Sequence, residues 1–250
     1  MRNRPIAVLV VAAVLVVLAS AAQAQDRWRV DFENGAAISG YNNLRIPGDT
    51  GTTFSLTRDL ASDTAYFWRL RVDLRLGRKH VVSALVAPLR INASGRFSSP
   101  VEFAGGMFAA GVPVNGLYVF NSYRVTYRYE PVRNQNWIVG VGLSVKVRDA
   151  VTRLESGGTS AEKANVGVVP LINFTLERRL GARVSLLLEG DALAAPQGRA
   201  EDVFAGILLR AGDRLSFKAG YRFLEGGADN DEVYTFALVH YVAAGVVIRF

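Results

Sequence analysis

The sequence predicts an all-β protein: an antiparallel up-and-down transmembrane β-barrel of about ten strands. Three observations carry this. Apolar residues recur with period two along most of the chain, no apolar run after residue 24 approaches the roughly 20 residues of a spanning helix, and the connections are short and long in turn.

The first 24 of the 250 residues read as a targeting segment. Arg2 and Arg4 precede an almost wholly aliphatic stretch, Ile6 to Leu18, and Ala22-Gln23-Ala24 supplies small residues before Gln25. That order is expected of a secretory signal peptide, 1-24, cleaved after Ala24. Its apolar core is shorter than a membrane anchor needs. The chain has no cysteine, so a lipoprotein anchor, a disulfide framework and a thiolate metal site are all excluded. Residues 25-250 are then long enough for one β domain.

The formal charge is +7, falling to +5 without Arg2 and Arg4. Of the 29 basic residues only Lys79, Lys146, Lys163 and Lys218 are lysine; the rest are arginine. Export argues against nucleic acid as the partner. Arginine also suits the phosphates of lipopolysaccharide and ion pairs inside a barrel.

Ten alternating segments follow in order, near residues 27-39, 64-77, 80-92, 116-130, 136-150, 164-178, 182-194, 200-211, 214-225 and 232-250. Each can cross a bilayer as a tilted strand of about 9 to 11 residues. In the second, Tyr66, Trp68, Leu70, Val72, Leu74 and Leu76 alternate with Phe67, Arg69, Arg71, Asp73 and Arg75. In the fifth, Val139, Val141, Leu143, Val145 and Val147 alternate with Gly140, Gly142, Ser144, Lys146 and Arg148. One face of such a strand meets an oily medium and the other does not.

The connections Gly77 to Lys79, Pro131 to Gln135, Arg179 to Ala182 and Gly212 to Asp213 are short. Residues 40-63, 93-115, 151-163, 195-199 and 226-231 are mostly longer and rich in turn formers. Strand-like pieces such as Thr52 to Leu56 leave eight or twelve strands open. A soluble β-sandwich would alternate too. The barrel is favoured by Trp28, Tyr66, Trp68, Tyr127, Tyr129, Trp137 and Tyr234, which fall towards strand ends as interfacial girdles would. Tyr118 and Phe120 have the inward parity and call for a bulge or a position above the bilayer.

The last segment, Tyr241-Val242-Ala243-Ala244-Gly245-Val246-Val247-Ile248-Arg249-Phe250, resembles the C-terminal strand of bacterial outer-membrane β-barrel proteins, with its terminal Phe and apolar residues at alternate positions. The resemblance implies residence in the outer membrane among lipids and lipopolysaccharide. It also implies that Val246, Ile248 and Phe250 form an assembly signal read by the barrel-assembly machinery, and that this strand closes the barrel. It implies no particular activity.

Inward parity assigns Arg69, Arg71, Asp73, Arg75, Arg124, Arg128, Lys146, Arg148, Glu177, Glu189, Asp191, Lys218, Arg222 and Arg249 to the lumen. A lumen of this strand count is narrow enough for side chains to fill it. Opposite charges would compensate there as an ion-pair network, and the arginine excess would suit a narrow anion-preferring pore. The rival expectation is a lipid-modifying hydrolase acting on lipid A or phospholipid, which needs a nucleophile and a base. Only His80 and His240 are available; neither has a serine well placed, and His240 departs from the His-x-Ser arrangement of lipid A deacylases of this architecture. No catalytic residue and no cofactor is therefore expected. The carboxylates of Glu225 to Glu232 do not match the spacing of an EF-hand loop, so an ordinary hairpin loop rather than a Ca²⁺ site is expected.

Overall fold

The computed structural model describes residues 27–196 and 198–250, so the expected signal peptide lies outside the described residues. The strands are β1 Trp28–Arg45, β2 Phe54–Ser55, β3 Leu60–Ser62, β4 Ala65–Leu76, β5 His80–Ala87, β6 Arg90–Arg96, β7 Val101–Phe103, β8 Gly106–Phe108, β9 Pro113–Arg133, β10 Trp137–Ser156, β11 Thr159–Arg179, β12 Val184–Ala195, β13 Gly198–Arg210, β14 Leu215–Asp229 and β15 Tyr234–Arg249.

Antiparallel pairing runs β1, β4, β5, β9, β10, β11, β12, β13, β14, β15 and returns to β1, where Arg29 stands opposite Arg249 and Arg45 opposite Tyr234. β5 and β6 pair in succession with the same strand β9, interrupted at Pro88, which has no N–H to give to a ladder. They form one stave. The result is a closed barrel of ten staves with up-and-down connectivity, which leaves no open sheet edge for most of its circumference.

The outer surface settles the alternation. Leu143 is 68% exposed while its neighbour Ser144 is 1% exposed, and Val125, Val141, Val145 and Val168 stand outward in the same way. A sandwich would bury such residues between its sheets; a closed barrel that wears them outside presents a broad apolar band, which water does not tolerate. Tyr66, Trp68, Tyr127 and Tyr129 also face out.

Several connections differ from expectation. Residues 151-163 are not a loop: β10 and β11 continue as a ribbon to a two-residue turn at Gly157 and Gly158, whose φ of +55° and +89° suit glycine and a tight hairpin. Residues 226–229 likewise remain in β14, and Asn230 turns the chain by accepting hydrogen bonds from the N–H groups of Glu232 and Val233. The strand-like pieces in 40-63 and 93-115 are β2, β3 and the β7–β8 hairpin. None of them adds a stave. They fold over the long-loop end as a cap whose core includes Leu44, Phe54, Leu56, Phe97, Phe103 and Phe108. Phe54 meets Phe97 and Phe103 edge-on, each at 5.5 Å between centroids.

Tyr118 and Phe120 need no bulge. β9 keeps its register there, and both rings point inward against a second apolar cluster that includes Phe67, Leu89, Phe204 and Tyr241. The upper lumen is apolar, which the parity argument alone did not anticipate.

Candidate functional site

Below that apolar layer the lumen is filled by ions. Asp202 of β13 accepts hydrogen bonds from Arg69 at 2.9 Å, Arg222 at 2.7 Å and also Arg124. Glu33 of β1 is held by Arg222 and by Lys218 at 2.8 Å. Asp31 meets Lys218, Arg71 at 2.9 Å and Arg29 at 3.1 Å. Glu189 accepts two bonds of 2.7 Å from Arg71. Asp191 takes Arg124 at 2.7 Å, with Asn173 and Ser144 beside it. Charge-assisted bonds of this length offset part of what the buried ions lose on leaving water.

Towards the short-turn end the network thins into a second group. Glu130 accepts from Arg75 at 2.9 Å, Arg133 at 2.8 Å and Arg128 at 3.3 Å, and Glu177 from Arg210 at 3.1 Å. Arg29 also lies 3.6 Å from Asp73. Of the residues expected in the network, Lys146 and Arg148 face inward but stand outside it, and Arg249 donates to Ser216 rather than to an acid. Arg29, Asp31, Glu33, Glu130, Arg133, Asp202 and Arg210 belong to the network as well, beyond the residues expected there. Asp31 and Glu33 have the inward parity of β1 and Glu130 that of β9, so the same alternation points to them.

These ions divide the interior. Between the two halves lie crevices of about 20 and 10 Å³. On the short-turn side lies a vestibule of about 860 Å³, whose lining carries nine arginines, Arg27, Arg133, Arg179 and Arg183 among them, against four acids. On the other side a vestibule of about 540 Å³ sits beneath the long loops, with Tyr118 and Phe120 in its wall and Lys146 and Arg148 in its floor.

The histidines belong to neither space. His80 has its Nδ1 2.8 Å from the Tyr127 hydroxyl, and His240 is hydrogen-bonded to the Tyr221 hydroxyl, both among outward-facing aromatics. Glu225 is occupied too: Arg199 clamps it with bonds of 2.8 and 2.7 Å, and Tyr41 donates to it. At the closure of the barrel, Phe250 and Trp28 exchange backbone hydrogen bonds of 2.9 and 3.2 Å, and Val246 and Ile248 face outward beside them.

No protein-family model matches the chain, and no curated protein matches it. Among solved structures it is similar to the outer membrane protease OmpT from Escherichia coli, at 10% identity and a TM-score of 0.55 over 90% of this chain and 97% of that one. It is also similar to Ail, the attachment invasion locus protein of Yersinia pestis, in complex with the heparin analogue sucrose octasulfate, at 10% identity and a TM-score of 0.42 over 90% and 99%. Neisserial surface protein A aligns at 11% identity and a TM-score of 0.37 over 89% and 97%. Of the three, the likeness to OmpT is close enough to speak to the fold, and it speaks to the fold alone. The chain therefore has the fold of bacterial outer-membrane β-barrel proteins.

Proposed function

We propose that the protein is an integral outer-membrane barrel with a structural or interaction role, its lumen sealed rather than open to diffusion. The observation that carries this reading is the layer of buried, mutually paired ions around Asp202, Glu33, Asp31 and Glu189, which stands across the lumen between the two vestibules. Membrane residence is supported by the apolar outer band, and the outer membrane by the C-terminal strand and the fold. Lipids would cover that band. Lipopolysaccharide would meet the long-loop end, where Arg45, Arg96, Arg153 and Arg199 stand, and the barrel-assembly machinery would read Val246, Ile248 and Phe250 during insertion.

A narrow anion-preferring pore is the second reading, favoured by the nine arginines of the inner vestibule. The two readings part on one measurement. Refolded protein in a planar bilayer should show no discrete conductance steps; steps with a preference for anions would replace the sealed barrel by the pore. A hydrolase fits less well, because the two imidazoles hydrogen-bond tyrosines on the outer face instead of a nucleophile and an acid.

A further inference from the structure

The barrel wall is incomplete in its upper half. β11 pairs with β12 only from Arg179 opposite Ser185 up to Ile172 opposite Ala192. Beyond that point β12 runs three residues further, to Ala195, whereas β11 runs thirteen further, to Thr159, paired on its β10 side alone. Pro170, which has no N–H to offer, sits at the base of this free edge. Above, Lys163 reaches Glu232 of the β14–β15 turn at 3.8 Å and frames the opening.

The opening connects with the outer vestibule. Its lining includes the inward Val169, but also Val168 and Pro170, whose side chains have the outward parity. The cavity thus extends to the free edge of β11. Val168 pairs with Val147 and Val166 with Asp149, so the window stands at the upper margin of the apolar band, the level of the outer leaflet.

The floor beside the window is cationic and unpaired. Lys146 is 2% exposed, has no carboxylate partner among the described residues, and holds its ammonium 4.6 Å over the Phe120 ring. Among the described residues Arg148 donates only to the Asn165 amide oxygen at the free edge of β11, and its Nε has no hydrogen-bond partner there. A buried charge without a counter-charge is costly. The remaining lining is mostly apolar, and the volume of about 540 Å³ is that of a small-molecule site.

We infer that this vestibule binds a single-chain amphiphilic anion of the fatty-carboxylate class, its head between Lys146 and Arg148 and its chain passing through the window between β11 and β12. The inference rests on the reading of the barrel as an interaction protein. It is nonetheless separable from it: conductance tests the seal, and ligand displacement tests the site.

The experiment uses the full barrel in nanodiscs of neutral phosphatidylcholine, loaded with a dansyl-undecanoate probe. Laurate should displace the probe at least tenfold more tightly than dodecanol, and acetate should not displace it. Lys146→Gln with Arg148→Gln should weaken laurate at least tenfold and leave dodecanol unchanged, while Lys146→Arg with Arg148→Lys should retain laurate. Val168→Trp, at the outer edge of the window, should weaken laurate more than hexanoate. Equal binding of laurate and dodecanol by the parent, or laurate affinity that survives loss of both charges, would overturn the site. Equal effects of Val168→Trp on both chain lengths would overturn the route. Should the double Gln variant fail to give the heat-modifiable folded form, the parent's preference for laurate over dodecanol decides.

Discussion

Arg222 on β14 reaches past β15 to chelate Glu33 on β1, its Nε 2.7 Å from one carboxylate oxygen and its Nη2 2.9 Å from the other. The remaining terminal nitrogen donates to Asp202 on β13 at 2.7 Å. One guanidinium therefore ties three staves together through the lumen, in the fork geometry that lysine does not have.

Removing an acid from this layer should be expensive. Glu33→Ala leaves Lys218 and Arg222 each short of a counter-charge in a closed interior, and breaking a buried pair costs about 3 to 5 kcal/mol. Glu189→Ala with Asp191→Ala should cost at least as much, because Arg71 and Arg124 then lose partners at 2.7 Å. Both variants should unfold at lower urea concentration than the parent. Midpoints equal to the parent's would mean that water reaches the layer.

Ten staves were legible because each crosses the apolar band, where one face is oily and the other polar. The same rule loses sight of the chain outside the band. Around Thr152, Arg153, Glu155 and Ser156 both faces are polar, so the ribbon leading to Gly157 reads as a loop. Asp202 was hidden for the opposite reason: Phe204 and Leu208 share its inward face and erase the alternation of β13. For Lys146 and Arg148 parity told which way they point. It could not tell that no acid stands across from them, since partners across a lumen depend on the stagger of all the strands.

The outer band makes a depth-dependent prediction. Leu143, opposite Tyr127 on one side and Ile172 on the other, lies well inside it; Val166, opposite Asp149, lies at its margin. Leu143→Arg should destabilise the barrel folded in lipid by about 2 to 4 kcal/mol, and Val166→Arg by about 0 to 1 kcal/mol. Reversible urea titration in phosphatidylcholine vesicles measures both. Equal costs at the two positions would place the bilayer elsewhere on the barrel.

Deleting Phe250 removes the residue that exchanges backbone hydrogen bonds with Trp28 where the first and last strands meet. Its loss should lower the amount of heat-modifiable barrel in the outer membrane and raise degradation, with little change in the total made. The prediction concerns assembly more than final stability, since β1 and β15 still pair from Arg29 opposite Arg249 upward. An assembled amount matching the parent's, measured on membranes from cells expressing each form, would show that the terminal ring is dispensable.

The two histidines decide between a catalyst and a barrel without chemistry of its own. The sequence has two histidines, so acyl or phosphoester transfer through an imidazole base would have to use His80 or His240. Each imidazole has a tyrosine hydroxyl on its Nδ1 and lies on the outer face, a position suited to an interfacial aromatic belt. Loss of a catalytic base costs orders of magnitude in rate. Mass spectrometry of lipid A and phospholipids should show the same acyl chains and head groups in cells with the parent, with the His80→Gln and His240→Gln double variant, and with no barrel at all. A difference made by the parent and erased by the double variant would identify a lipid-modifying enzyme. A difference that survived the double variant would move the chemistry to the carboxylates, and Glu225, already held by Arg199 and Tyr41 at the rim of the outer vestibule, would be the first to replace.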